Sequence, residues 1–232
     1  QLLSVISGHD KHDATSAMKD VPDFAKNLTK DVKGLRIAVP KEMLSDQIDD
    51  NVKEKVIKAL DDLKAQGATW EEVDMNSFNA AIASYYIIAP AEASANLARF
   101  DGVRYTTRAK DTKNLKEMFI KTRGEGFGEE VKRRILLGTF ALSSGYYDAY
   151  YLKAQKARTI IKDDFNRIFE NFDVIATPTT PSVAFKLGEK IQNPMDMYLS
   201  DISTISVNMA GLPALSQPCG FSDNKPVGIQ WI

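Results

Sequence analysis

The chain has 232 residues, 44% of them hydrophobic and 26% charged, so it is long and apolar enough to bury a core and is not of a disordered type. A net charge of -1 excludes a basic field able to grip a polyanion unaided. The single cysteine, Cys219, excludes an internal disulfide and suits a reducing cytoplasmic setting, and no apolar run approaches the ~18–20 residues needed to span a bilayer.

Residues 1–8 read as the last turns of a helix, followed by the polar loop HDKHDATSAMKDVPD. A βαβ unit comes next. LRIAVP (35–40) is a short buried strand. Asp50 or Asn51 caps a helix with Val52, Val56, Leu60 and Leu63 at helical spacing and Gly67 as its stop. ATWEEVDM (68–75) is the second strand, expected to run parallel to the first. Residues 78–99 form an alanine-rich helix expected to break at Pro90, and 112–122 and 125–142 form two more. A long helix then carries Tyr147, Tyr151, Ala154, Arg158, Ile161, Phe165 and Ile168 on one stripe. FDVIATP (172–178) is a buried strand, and 201–210 a short helix. ALSQPCG and VGIQWI read as strands, paired as a hairpin across FSDNKP. The class is α/β, a mixed β-sheet covered by helices. With no initiating methionine, and PVGIQWI stopping inside a strand, both ends read as cuts in a longer protein.

Most of the candidate chemistry has an ordinary explanation. His9 and His12, interleaved with Asp10 and Asp13, have carboxylates beside them but no second cluster of metal ligands, and read as a solvated loop. Cys219 has no histidine near it in sequence and reads as a buried structural cysteine. Ser143-Ser144-Gly145 lacks the G-x-S-x-G frame and reads as a turn between helices. No glycine-rich phosphate loop is present.

Arg134 is different. At about 100° per residue, Phe127, Val131, Ile135, Gly138 and Ala141 share one helical face, and Arg134 falls inside it while Lys132 and Arg133 point away. A guanidinium stays charged, so on a buried face it needs an anion, from the protein as an ion pair or from a ligand. Asp201 is either the N-cap of the helix after it or a ligand for a cation. Tyr85 and Tyr86 are either core aromatics or pocket groups. Together, one cation, one carboxylate and a phenol suit an amino-acid zwitterion: the guanidinium fork grips the carboxylate, the aspartate grips the ammonium, and the hydroxyl orients.

The segments ANLARFDGVRY (95–105), GEGFGEEVKRRILLGTFALSSGYYDAYYLKAQKAR (124–158), NFDVIATPTTPSVAF (171–185) and VNMAGLPALSQPCG (207–220) closely resemble the amidase signature family. The resemblance is to its branch of glutaminase A subunits of tRNA-dependent amidotransferases, and it runs over nearly the whole chain. It implies the C-terminal part of a single amidase signature domain over residues 1–232, truncated at both ends. The family is similar in using a Ser-cis-Ser-Lys triad, whose motifs precede the region matched here. Nothing like GGSSGG occurs, so no catalytic residue is carried over and the chain alone is expected to be inactive. The substrate shell is carried over: Arg134 for the glutamine carboxylate, Asp201 for its α-ammonium, and Tyr85 lining the same pocket. The implied reaction of the intact protein is serine attack on the glutamine side-chain amide, releasing ammonia. The ammonia passes to a partner subunit, which activates Glu-tRNA(Gln), and in many bacteria Asp-tRNA(Asn), using ATP and Mg. The implied partners are subunits B and C, with the tRNA held mainly by the partner. No cofactor is implied in this subunit, and no metal.

Two other readings remain at this level. One is an amidase signature hydrolase of another small amide, which does not need both charges of an amino acid. The other is a non-catalytic helical binding module. Because LRIAVP, FDVIATP and ALSQPCG are apolar enough to need cover on both faces, an incomplete domain is expected to leave apolar surface bare and to self-associate.

Overall fold

Among the described residues, five strands build one sheet: β1 (Arg36–Pro40), β2 (Thr69–Val73), β3 (Val174–Pro178), β4 (Leu215–Ser222) and β5 (Lys225–Trp231). The computed structural model describes residues 2–26, 28, 29, 31–189 and 194–232, with the backbone alone for 194–196. Gln1, the first residue of the expected N-terminal helix, lies outside them; the helix α1 is described over Leu2–Ile6. The strand order is β2-β1-β3-β5-β4. β1 runs parallel to both β2 and β3, while β3 and β4 run antiparallel to β5, so the sheet is mixed as expected. The hairpin between β4 and β5 turns at Asp223 (φ 50°) and Asn224 (φ 59°), both left-handed as a two-residue type I′ turn requires.

Alternation along β1 and β3 divides the core. Ile37, Val39 and Ala176 face the layer holding Val56 and Leu60 of α2 (Asp50–Lys64). Ala38 and Ile175 face the opposite layer, with Ile161 and Phe165 of α6 (Lys153–Phe169) and Val207 and Met209 of α8 (Ile202–Ala210). Strands covered on both faces require continuous apolar runs, which is why RIAVP and VIATP lack polar alternation.

Beyond α6 and α8 lies α3 (Phe78–Leu97), which packs on both and on α5 (Glu129–Ala141). The connection between α3 and α5 includes α4 (Leu115–Gly126), capped by the Asn114 side chain, which accepts from the Glu117 N–H. α8 stops at Gly211 (φ 74°), where the N–H groups of Gly211 and Leu212 both bond the Val207 carbonyl.

Several expectations are corrected. Pro90 does not break its helix; α3 runs through it. The proline removes one backbone bond, toward the Tyr86 carbonyl, but packing against α5 and α6 holds both halves in line. The long helix begins as a π-helical segment, Tyr147–Leu152, before α6 takes over. The N-cap of α2 is Asp49, not Asp50 or Asn51. ALSQPCG is not covered on both faces: β4 is a sheet edge, with Leu215 64% and Phe221 66% exposed.

Candidate functional site

α5 opens with Glu129 and Glu130 in its first turn, where the helix dipole favours anions. Glu130 precedes Arg134 by four residues, the favourable orientation for an acid–base pair on a helix. The Arg134 Nε donates to Glu130 Oε1 at 3.0 Å, and Arg133 bonds Glu130 Oε2. The protein therefore supplies an anion of its own, one turn upstream, and Arg134 remains 37% exposed. Its terminal nitrogens have no hydrogen-bond partner among the described residues.

Glu130 Oε1 also accepts from the Tyr198 hydroxyl at 3.1 Å. Tyr198 comes from α7 (Pro194–Leu199), and its ring lies 4.2 Å from that of Tyr86. Tyr86 in turn meets Tyr85 edge-on at 5.0 Å. Burial alone would raise the Glu130 carboxyl, but the hydrogen bonds from Arg134 and Tyr198 and the charges of Arg134 and Arg133 outweigh it and hold it below the usual range. Arg134 is raised, first by its bond to Glu130, against some burial, with both phenols close enough to act on its charge.

The Tyr86 hydroxyl is buried and has no hydrogen-bond partner among the described residues. Its pKa is pushed far up, mainly by burial and next by the Asp201 carboxylate, with Arg134 acting the other way. Tyr86 thus sits under the influence of both charges. Asp201 occupies the N-cap position of α8, yet its side chain makes no capping bond. Its backbone N–H bonds the Tyr198 carbonyl at 3.2 Å, which ties it to the same turn. No ion pair joins Arg134 to Asp201 among the described residues. Tyr86, Tyr198, Leu137, Leu199 and Ile202 line a cleft of ≈ 440 Å³. Arg134, Asp201 and Tyr85 are not among its lining residues; they meet the cleft through Tyr86, whose hydroxyl feels both charges.

Of the residues proposed from sequence, Arg134, Asp201 and the Tyr85–Tyr86 pair are gathered around this cluster. Glu130 and Tyr198 were missed. Glu130 was legible as an acid four residues before a misplaced cation; Tyr198 carries no such signal. Tyr86, weighed beside Tyr85, is the one whose hydroxyl is both buried and unpartnered among the described residues. Elsewhere, Asp10 and Asp13 accept backbone N–H groups of His12 and Thr15 in an exposed turn. No group of three His, Cys, Asp or Glu side chains gathers among the described residues. The Cys219 thiol is raised by burial, the opposite of an activated nucleophile.

The sequence model of the amidase family matches residues 1–232, the whole chain. This chain belongs to the amidase family. Among the relatives of this chain, the glutamyl-tRNA(Gln) amidotransferase A subunit of Halalkalibacterium halodurans is 59% identical over 231 residues, covering 100% of this chain and 48% of the relative. Its counterpart in Geobacillus thermodenitrificans is 60% identical over 231 residues, again 100% of this chain and 48% of its own length. The crystal structure of the Thermotoga maritima glutamyl-tRNA(Gln) amidotransferase A subunit superimposes with a TM-score of 0.73 at 43% identity, covering 99% of this chain and 45% of that chain. The chain therefore spans about half the length of the relatives it matches.

Proposed function

We propose that this chain is the substrate-binding part of the glutaminase subunit of a tRNA-dependent amidotransferase, the C-terminal part of a single amidase signature domain. The observation that carries the reading is the Arg134 guanidinium, held by its Nε with its terminal nitrogens unoccupied, beside a buried unpaired phenol and an uncapping aspartate. The whole-chain likeness to A subunits supports it. In this reading Arg134 takes the glutamine α-carboxylate, Asp201 takes the α-ammonium, and Tyr85 and Tyr86 bound the space between them.

The nucleophile lies in the rest of the intact protein. A serine there attacks the side-chain amide, ammonia leaves, and water hydrolyses the acyl-enzyme. Ammonia then amidates Glu-tRNA(Gln) on a partner subunit, which uses ATP and Mg; subunits B and C are the proposed partners, and the cytoplasm the proposed compartment. No helix among the described residues is long and apolar enough to cross a membrane. The isolated chain is inactive in this reading, and exposed Leu136, Phe140, Tyr146 and Leu215 favour its self-association.

The test is Arg134→Ala in the full-length subunit within its complex. Loss of one charge-assisted hydrogen-bonded contact of roughly 1.5–3 kcal/mol raises the KM for glutamine about 10- to 150-fold. The effect falls on KM because the carboxylate is held throughout the reaction. Unchanged glutamine kinetics would refute the site. A second reading, hydrolysis of a more apolar small amide, is favoured by the apolar walls of the adjoining cleft. Comparing kcat/KM for glutamine and for simple amides decides between them.

A further inference from the structure

We infer that Glu130 and Tyr198 are positioning residues that orient Arg134 for end-on capture of a ligand carboxylate and tie its orientation to that of Asp201. The inference deepens the glutaminase reading and rests on it. An arginine side chain carries substantial rotamer freedom, and one that is 37% exposed is not held by packing alone. A guanidinium presents two edges to a carboxylate: a side edge that includes Nε, and an end edge made by the two terminal nitrogens. Here Glu130 Oε1 accepts the hydrogen bond from the Arg134 Nε–H at 3.0 Å, which uses the side edge and fixes the plane of the fork. The end edge is what remains for a ligand.

Glu130 is itself pinned. Arg133 holds its Oε2, and the Tyr198 hydroxyl donates to its Oε1 at 3.1 Å. Tyr198 and Glu130 lie 68 residues apart in the chain, so this bond links two separate elements. The Tyr198 ring rests on Tyr86, and its carbonyl accepts the Asp201 N–H at 3.2 Å. One tyrosine therefore touches the carboxylate that aims the cation and the backbone that carries the anion. For a zwitterion, whose two charges sit a fixed distance apart, that linkage sets both ends of the site together.

The experiment is steady-state glutamine hydrolysis by the full-length subunit in its assembled complex. Glu130→Ala is expected to raise KM about tenfold with kcat nearly unchanged, because it loosens a binding group without touching the reacting atoms. Glu130→Gln, whose carbonyl oxygen still accepts from Nε, restores most of the loss. Tyr198→Phe keeps the ring contact, loses the hydroxyl and raises KM by a smaller factor. In an Arg134→Ala background, Glu130→Ala adds no further loss, since residues acting through one group are not additive. A lower KM in Glu130→Ala would mean that Glu130 competes with the ligand, and a loss additive to that of Arg134→Ala would mean that it acts elsewhere; either overturns the inference. If Arg134→Ala raises KM while Glu130→Ala, Glu130→Gln and Tyr198→Phe all match the unaltered enzyme, this inference fails and the binding role of Arg134 stands. If Arg134→Ala itself changes nothing, both fall.

Discussion

Gly138→Ala tests how the site depends on helix packing. Gly138 lies one turn after Arg134 on α5, and Pro90 lies one turn after Tyr86 on α3. A Cβ at Gly138 would meet the Pro90 carbonyl oxygen at 1.9 Å, the Pro90 carbonyl carbon at 2.4 Å and the Ala91 nitrogen at 2.8 Å. All three are backbone atoms, so no rotamer change relieves the clash. Bringing the shortest contact to the 3.0 Å limit of real Cβ atoms requires α3 and α5 to part by about 1.1 Å. Overpacking of a tight core costs about 1–3 kcal/mol and occasionally more; a rigid backbone on the receiving side puts this case at the upper end. The same displacement, one turn away, separates Arg134 from Tyr85 and Tyr86. A misplacement of about 1 Å in a binding constellation can cost on the order of 100-fold in rate. The assay is glutamine kcat/KM and urea unfolding of the full-length subunit. The control is Gly126→Ala at the end of α4, where an added Cβ meets nothing within 4 Å. Gly138→Ala with unchanged stability and unchanged kcat/KM would refute the argument that this contact sets the spacing of the site.

Tyr86→Phe should separate stability from binding. An unpaired buried hydroxyl costs about 1–3 kcal/mol, so removing it is expected to leave urea resistance equal or higher while the KM for glutamine rises severalfold. A variant that is clearly destabilised with an unaltered KM would show a structural partner instead. For the pair joining β1 to the start of β3, the guanidinium and backbone N–H of Arg36 hold the Asp173 carboxyl at about 2. A depressed carboxyl contributes stability above its ordinary value of 3.8 and loses it as pH falls through about 2, so stability should decline across that window. Arg36→Ala should flatten the decline and return the carboxyl toward the ordinary range by NMR titration; a carboxyl titrating near 3.8 in the unaltered protein would contradict this.

Local chemistry was legible without a structure. The apolar runs RIAVP and VIATP, the helical spacing of Val52, Val56 and Leu60, and the Asp223-Asn224 turn each specify their own element, because periodicity and backbone preference act over a few residues. The misplaced Arg134 was visible for the same reason: one residue out of phase on a helix can be counted. Asp201 was legible as an acid at the start of a helix, but its position alone did not choose between an N-cap and a cation ligand. Tertiary structure decided the rest. It closed the side edge of Arg134 with Glu130 and brought Tyr198 to that carboxylate from 68 residues away. It buried the Tyr86 hydroxyl without a partner among the described residues and set Tyr85 edge-on against that ring. It carried α3 through Pro90 and brought α5 so close to the proline backbone that Gly138 has no room for a Cβ. It also left ALSQPCG at a sheet edge, since an apolar strand does not encode whether a neighbour lies beside it. Sequence period tells which face of an element is apolar; how far one element lies from another is set by packing among residues distant in the chain.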